Sequence, residues 1–449
     1  MKNNIVNRIF VMSLAALATA SPSLVVATNG LYQHGYGSRQ NGIAGSGVAF
    51  PQDPLIASIN PAGVVYVGRQ NEIDLVWFSP RREYTVNASP ASGNFPPFPG
   101  PTVKSGSESF FVPSLGFSWP IGDNDNKAVG FALYGNGGMN TDYDAADTPF
   151  GVGTFGGGAV PGGGADSGVD YTQLFANLNY SQKFADGKAS WGIAGILNYS
   201  RLEMRGFSAF GPFSLDPANL SDKGHDNDTG FGLRLGIQGD VGSGVTLAAS
   251  YQKKINNKFD DYAGLFPDGG KLNIPATLQV GLAAKAGPGT ITADIQHVFY
   301  SDAKGVGDPG TTGLPTGCIP SAPFTASPVA SGPSCLGNDP GIGFGWEDMT
   351  VLKLGYTWST GNDWTWRVGA SYGKQPIPAE DVTFNIIAPG VIETHLTAGF
   401  SKALGKGREF SMALMYAPEK CVNGPDLFTP GQTVELCMHQ VAVNAGFSF

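Results

Sequence analysis

The chain has 449 residues, of which only 14% are charged, with 65 Gly, 28 Phe, 15 Tyr and a formal net charge of −9. That acidic balance offers nothing to a nucleic-acid backbone, and the charged share falls well below the ~25% of ordinary soluble domains. No segment beyond the N-terminus has the ~20 apolar residues of a spanning helix, and a mean hydropathy of −0.05 fits a barrel in which only alternate residues meet lipid.

Residues 1–27 read as a secretory signal: Lys2 and Arg8 are the positive start and 9–20 the apolar stretch. Cleavage falls after Ala20 or, preferably, after Ala27. Residues 28–70 are rich in Gly, Ala and Asn, carry few charges, barely alternate, and include Asn60-Pro61-Ala62-Gly63. Such a composition favours a compact plug over a solvated tail. Alternating runs then recur at 71–88, 109–120, 127–138, 168–185, 189–202, 228–239, 244–255, 274–286, 289–300, 347–359, 363–373, 392–403, 408–418 and 437–449. About fourteen is an even number, as single-chain bacterial barrels require.

The gaps alternate in length. Short ones at 121–126, 186–188, 240–243, 287–288, 360–362 and 404–407 separate long ones at 89–108, 139–167, 203–227, 256–273, 301–347, 374–393 and 419–436. This is the rhythm of tight periplasmic turns and long extracellular loops. The phase of the runs sets what faces lipid. Phe231, Leu233, Leu235 and Ile237 face outward with Arg234 inside; Leu352 and Leu354 face outward with Lys353 inside; Trp366, Val368 and Tyr372 face outward with Arg367 and Ser371 inside. Mid-depth Arg or Lys on the lipid face would cost ~2–4 kcal/mol. Trp119, Trp191, Trp346, Trp358, Trp364 and Trp366 stand near strand ends, which predicts two aromatic girdles. The last strand carries Val441, Val443, Ala445, Phe447 and Phe449 on one face.

The four cysteines suggest two local disulfides in an oxidising compartment, Cys318–Cys335 and Cys421–Cys437; neither spacing has the form of a zinc knuckle. Gly369-Ala370-Ser371-Tyr372-Gly373 matches a nucleophile-elbow pattern but lies inside an alternating strand, and the glycine-rich match at 151–156 lacks a strand–helix context. His34, His225, His297, His395 and His439 form no metal-binding spacing. No enzyme, cofactor or metal is expected. The expected fold is all-β: a transmembrane antiparallel β-barrel of about fourteen strands over 71–449, with residues 28–70 as an N-terminal hatch in its lumen.

Several stretches resemble the FadL-type outer-membrane transporters. Thr28 to Gly37, Gly42 to Ala49 and Asp53-Pro54 are similar to the family's N-terminal hatch, and Asn60-Pro61-Ala62 to its Asn-Pro-Ala motif. Ile274-Pro275-Ala276 and Pro376-Ile377-Pro378 resemble further landmarks. The resemblance implies passive, ligand-gated transport of long-chain fatty acids or other hydrophobic compounds by a monomer. Loops capture the cargo, the hatch moves, and the cargo leaves sideways into outer-membrane lipid at a kinked third strand. In the third run, Gly135, Gly137 and Gly138 either form that kink or begin the long loop. Arg234, Lys353 and Arg367 either meet a cargo carboxylate or pair with inner acids such as Asp294 and hold wall and hatch together. An aromatic-hydrocarbon channel, a general porin and a surface adhesin are the alternative readings.

Overall fold

The computed structural model describes residues 29–88, 97–98, 100–122, 125–156, 165–310, 317–321, 330–339 and 341–449. The expected signal segment lies outside the described residues. Among those described, no helix is long and apolar enough to cross a membrane.

Fourteen long strands form the wall. They are β1 (Gln70–Asn87), β2 (Phe110–Ile121), β3 (Lys127–Tyr143), β4 (Ser167–Phe184), β5 (Ala189–Arg205), β6 (Asp226–Gly242) and β7 (Val245–Gln252). There follow β8 (Ala276–Ala286), β9 (Gly289–Phe299), β10 (Met349–Thr360), β11 (Trp364–Gly373), β12 (Thr394–Gly405), β13 (Arg408–Pro425) and β14 (Thr433–Ser448). Each pairs antiparallel with its sequence neighbours, and β14 closes on β1 from Glu72↔Ser448 to Asn87↔Thr433. Val103–Lys104 adds a two-residue ladder to β1. Closure removes the free edges that would otherwise present unpaired backbone to lipid.

Alternation produces this wall because strand side chains point to opposite faces. Phe231 is 78% exposed and Leu354 59%, whereas Arg234, Lys353 and Arg367 are 4%, 2% and 5% exposed. Trp119, Trp191, Trp358, Trp364 and Trp366 all lie near the short-turn ends of their strands. Trp346 corrects its own expected place in an aromatic girdle. It precedes β10 under the loop roof, is buried, and donates from Nε1 to Asn385 Oδ1 at 2.6 Å. Outward tyrosines (Tyr199, Tyr372 and Tyr416) stand toward the loop side instead, close to one ~9–11-residue crossing from the short turns.

Several strands run further than alternation predicted. β3 continues to Tyr143, β13 to Pro425, and β14 begins at Thr433. In β3 the added part is buried on both faces, and in β13 a register shift between Ala417 and Lys420 breaks the alternation, so the apolar–polar rhythm fades while the ladder goes on. Both expected disulfides are present, Cys318–Cys335 in the loop before β10 and Cys421–Cys437 across β13 and β14.

Candidate functional site

Residues 29–69 are tied to inward-facing groups on many strands. Ser38 N donates to Asp74 on β1 (2.7 Å), Gly47 N and Val48 N to Asp294 on β9 (2.8 and 2.9 Å), and Ala44 N to Thr397 on β12 (3.0 Å). Ser190 of β5 and Ser250 of β7 donate to Ala62 O and Ile59 O. Partners on opposite sides of a closed ring place the segment inside the barrel. Its local structure comes from two capped turns. Asp53 accepts from Leu55 N before the 3₁₀ turn Pro54–Ser58, and Asn60 accepts from Ala62 N before Pro61–Tyr66. In both, proline follows the cap, where its missing N–H costs nothing. Asn60 Nδ2 also donates to Val48 O at 2.8 Å, joining the two halves of the segment. Gly192 and Gly236 leave room for the Asn-Pro-Ala turn; a Cβ at either would strike it.

The wall has a seam. β2 pairs with β3 only as far as Ser114↔Tyr134. Beyond it, Phe110–Pro113 pair with β1, and Gly135–Tyr143 pair with β4. Pro113, which has no N–H to give, stands where the pairing stops. Higher up, Gly106 N donates to Asp142 O at 2.7 Å, so the seam is a window framed at both ends. A register shift between Gly135 and Gly137 bends β3 at this level, and a Cβ on Gly138 would strike Tyr171 O. The hatch docks on the bend. Gln33 Nε2 donates to Gly135 O (2.6 Å), Gln33 N to Asn136 O (3.1 Å), and Tyr36 OH to Asn136 Oδ1 (2.8 Å).

Behind the window lies a small cavity bordered by Gly30, Arg82, Met139, Trp346, Ile392 and Met438. It offers about 30 Å³, the room of a water molecule rather than a lipid tail. Above it, Phe207, Phe266, Leu336, Phe344 and Phe384 surround a second, almost wholly apolar space among the loops. The segment after Val382 joins the two: Phe384 lines the upper space, Ala388 and Ile392 the lower. Thr141 and Tyr143 of β3 donate to its carbonyls at Ile387 and Ile386.

The model of the family described as "Outer membrane protein transport protein (OMPP1/FadL/TodX)" matches residues 19–401. The chain belongs to this family. The family is one of transporters, and its barrel sits in the outer membrane. Solved structures share the fold. The toluene transporter TodX of P. putida is 18% identical with a TM-score of 0.64, covering 92% of this chain and 98% of its own. A Pseudomonas aeruginosa FadL homologue is 16% identical with a TM-score of 0.63 over 93% and 98%. The Ralstonia pickettii toluene transporter TbuX is 18% identical with a TM-score of 0.55 over 92% and 98%. No curated protein matches.

In this FadL/TodX barrel the three inward cations anticipated from sequence are all engaged. Arg234 donates to Ala57 O, Tyr134 OH and Gln252 Oε1. Lys353 Nζ donates to His34 O at 2.7 Å and stands opposite Asp294 in the ladder. Arg367 donates to Gln52 Oε1 (2.9 Å) and Ser401 Oγ (2.6 Å). Sequence reasoning missed Arg82. Arg82 is 6% exposed, and its guanidinium lies 5.8 Å from the Phe110 ring centre and donates to Ser107 O at 3.1 Å. No carboxylate among the described residues pairs with it. The β1 alternation could have flagged Arg82 as inward; it could not show the missing counter-charge. Sequence spacing also proposed no Ser–His pair, yet Ser371 Oγ and His395 Nδ1 lie 3.2 Å apart. His395 Nε2 meets no acid, and the hatch residue His34 covers the ring, so the triad geometry is not completed.

Proposed function

We propose that this transporter carries amphiphiles with one carboxylate and a long apolar chain, long-chain fatty acids foremost, by passive diffusion and not by catalysis. Cargo enters by parting the apolar side chains around the space of about 10 Å³ under the loops, where each buried methylene contributes ~0.8 kcal/mol. It descends along the segment after Val382. Withdrawal of the hatch tip at Gly30 to Tyr36 then enlarges the lower cavity. The chain slips through the β2–β3 window into the outer-membrane lipid, without crossing a wet lumen. Gly135, Gly137 and Gly138 let β3 bend away there.

The observation that carries the cargo assignment is Arg82. A buried guanidinium without a carboxylate bears an uncompensated desolvation cost, and a cargo carboxylate would relieve it with charge-assisted, bidentate hydrogen bonds. Lys353 and Arg367 are further stations: once the hatch leaves, each loses one of its acceptors and becomes free to bind. Native mass spectrometry of the detergent-released barrel with oleate, a matched long-chain alcohol and toluene tests this. Oleate is expected to be retained most strongly, and Arg82→Met to abolish its advantage over the alcohol. Preferential retention of toluene would replace the assignment with a hydrocarbon channel. Equal retention of oleate and alcohol by the unaltered protein would remove the anchor.

A further inference from the structure

The hatch carries a titratable ring where no compensating charge meets it. His34 stacks on His395 of β12 with ring centres 5.4 Å apart and planes 3° from parallel. Both residues are buried, at 3% and 0% exposure, and both Nε2 atoms lack a partner. The Lys353 ammonium of β10 is bonded to the carbonyl of His34 itself, and Ser371 of β11 offers the His395 ring a neutral hydroxyl. Asp294 of β9 stands opposite Lys353 in the ladder, and its Oδ2 accepts from Gly47 N, Val48 N and Gln279 Nε2. No carboxylate among the described residues pairs with either ring.

We propose that this stacked pair is a proton-sensitive latch: neutral rings hold the hatch against β10–β12, and protonation releases it. A proton on either ring would face the other ring and an ammonium in a buried site. Burial, helped by His395 and Lys353, accordingly pushes the His34 pKa well below the usual imidazole value. The sign follows by linkage. The seated hatch excludes protons that the released hatch accepts, so seating is fully favoured above the free imidazole pKa of ~6.5 and weakens as pH falls below it. One excluded proton changes the seated-to-released ratio up to ~10-fold per pH unit, and two change it up to ~100-fold. The proposal rests on the hatch being movable, and is independent of what the cargo is.

Single-channel recording of the full barrel with its hatch, in planar bilayers without cargo, reads hatch release directly. The open probability of the unaltered protein is expected to rise steeply from pH 7 to pH 5. The His34→Gln, His395→Gln double variant should lose that slope, and His225→Gln, at a loop histidine far from the hatch, should keep it. A flat profile in the unaltered protein, or an unchanged slope in the double variant, overturns the latch. Should the double variant fail to insert, the single His395→Gln replaces it. Half the slope is then expected, and an undiminished slope refutes the proposal. A cargo other than a fatty acid would leave these results standing.

Discussion

Arg39 shows how a single hatch residue is held. Its guanidinium faces Glu409 at 3.0 Å, Glu72 at 3.7 Å and Asp53 at 3.9 Å, and donates to Gln52 O and Ser448 Oγ. These groups belong to the hatch, β1, β13 and β14, so the one side chain sews the plug to the seam where the barrel closes. Removing one member of a buried ion pair leaves its partners unpaired and typically costs ~3–5 kcal/mol. Arg39→Met should therefore unseat the hatch while the barrel assembles, seen as protease cleavage before Gln70 and as larger conductance. Persistent protection would mean that the remaining hydrogen bonds suffice. The contrast between Arg39 and Arg82 marks what residue type alone could not tell. Alternation puts a cation inside, but whether it meets acids or none depends on which hatch loop passes by, and that is set by long-range packing.

At the scale of elements, the strands were the most legible part of the chain. The phase of β6, β10 and β11 was plain in residues 228–239, 347–359 and 363–373, because lipid on one side and a packed lumen on the other enforce a period of two. The upper half of β3, buried on both faces, escaped for want of that contrast, and that of β13 escaped because a register shift after Ala417 breaks the period. The path of the backbone over residues 29–69 was not legible, since short turns closed by their own amides alternate with amides that bond to the wall. Asn60 is the element's hinge: it caps one turn and holds Val48 of another. Asn60→Ala leaves the Ala62 amide and the Val48 carbonyl without their partner, and should cost ~1–2 kcal/mol of hatch seating. Faster deuterium exchange across residues 46–66 in the assembled barrel would register it; unchanged exchange would show that the close fit against Gly192 and Gly236 does the holding. The window has its own test. Gly138→Val sets a side chain against Tyr171 O and must reshape the β3 bend. Transport should fall several-fold in a correctly inserted barrel, whereas normal uptake would argue against exit through this seam.

At the scale of the molecule, wall and plug are held by different interactions, and this separates stability from gating. The wall is a closed ring of fourteen strands in which, outside the β2–β3 window, neighbouring backbones satisfy one another, and it gains further restraint across β13 and β14 from Cys421–Cys437. The plug is seated by side chains: Asp74, Arg234, Asp294, Lys353 and Thr397 reach inward to groups that the first forty residues of the described chain present. Deleting residues 28–37 removes the segment that docks on Gly135 and Asn136 and the Tyr300 contacts to Asn29 and Leu31, and touches no wall pairing. The barrel should thus insert and keep its heat-modifiable mobility on a gel, while Lys353, deprived of the His34 carbonyl, is left to water entering the lumen. Transport is expected to change, either leaking or losing its response to cargo. Loss of insertion itself would show that the hatch is needed to fold the wall, and the division between the two would have to be abandoned.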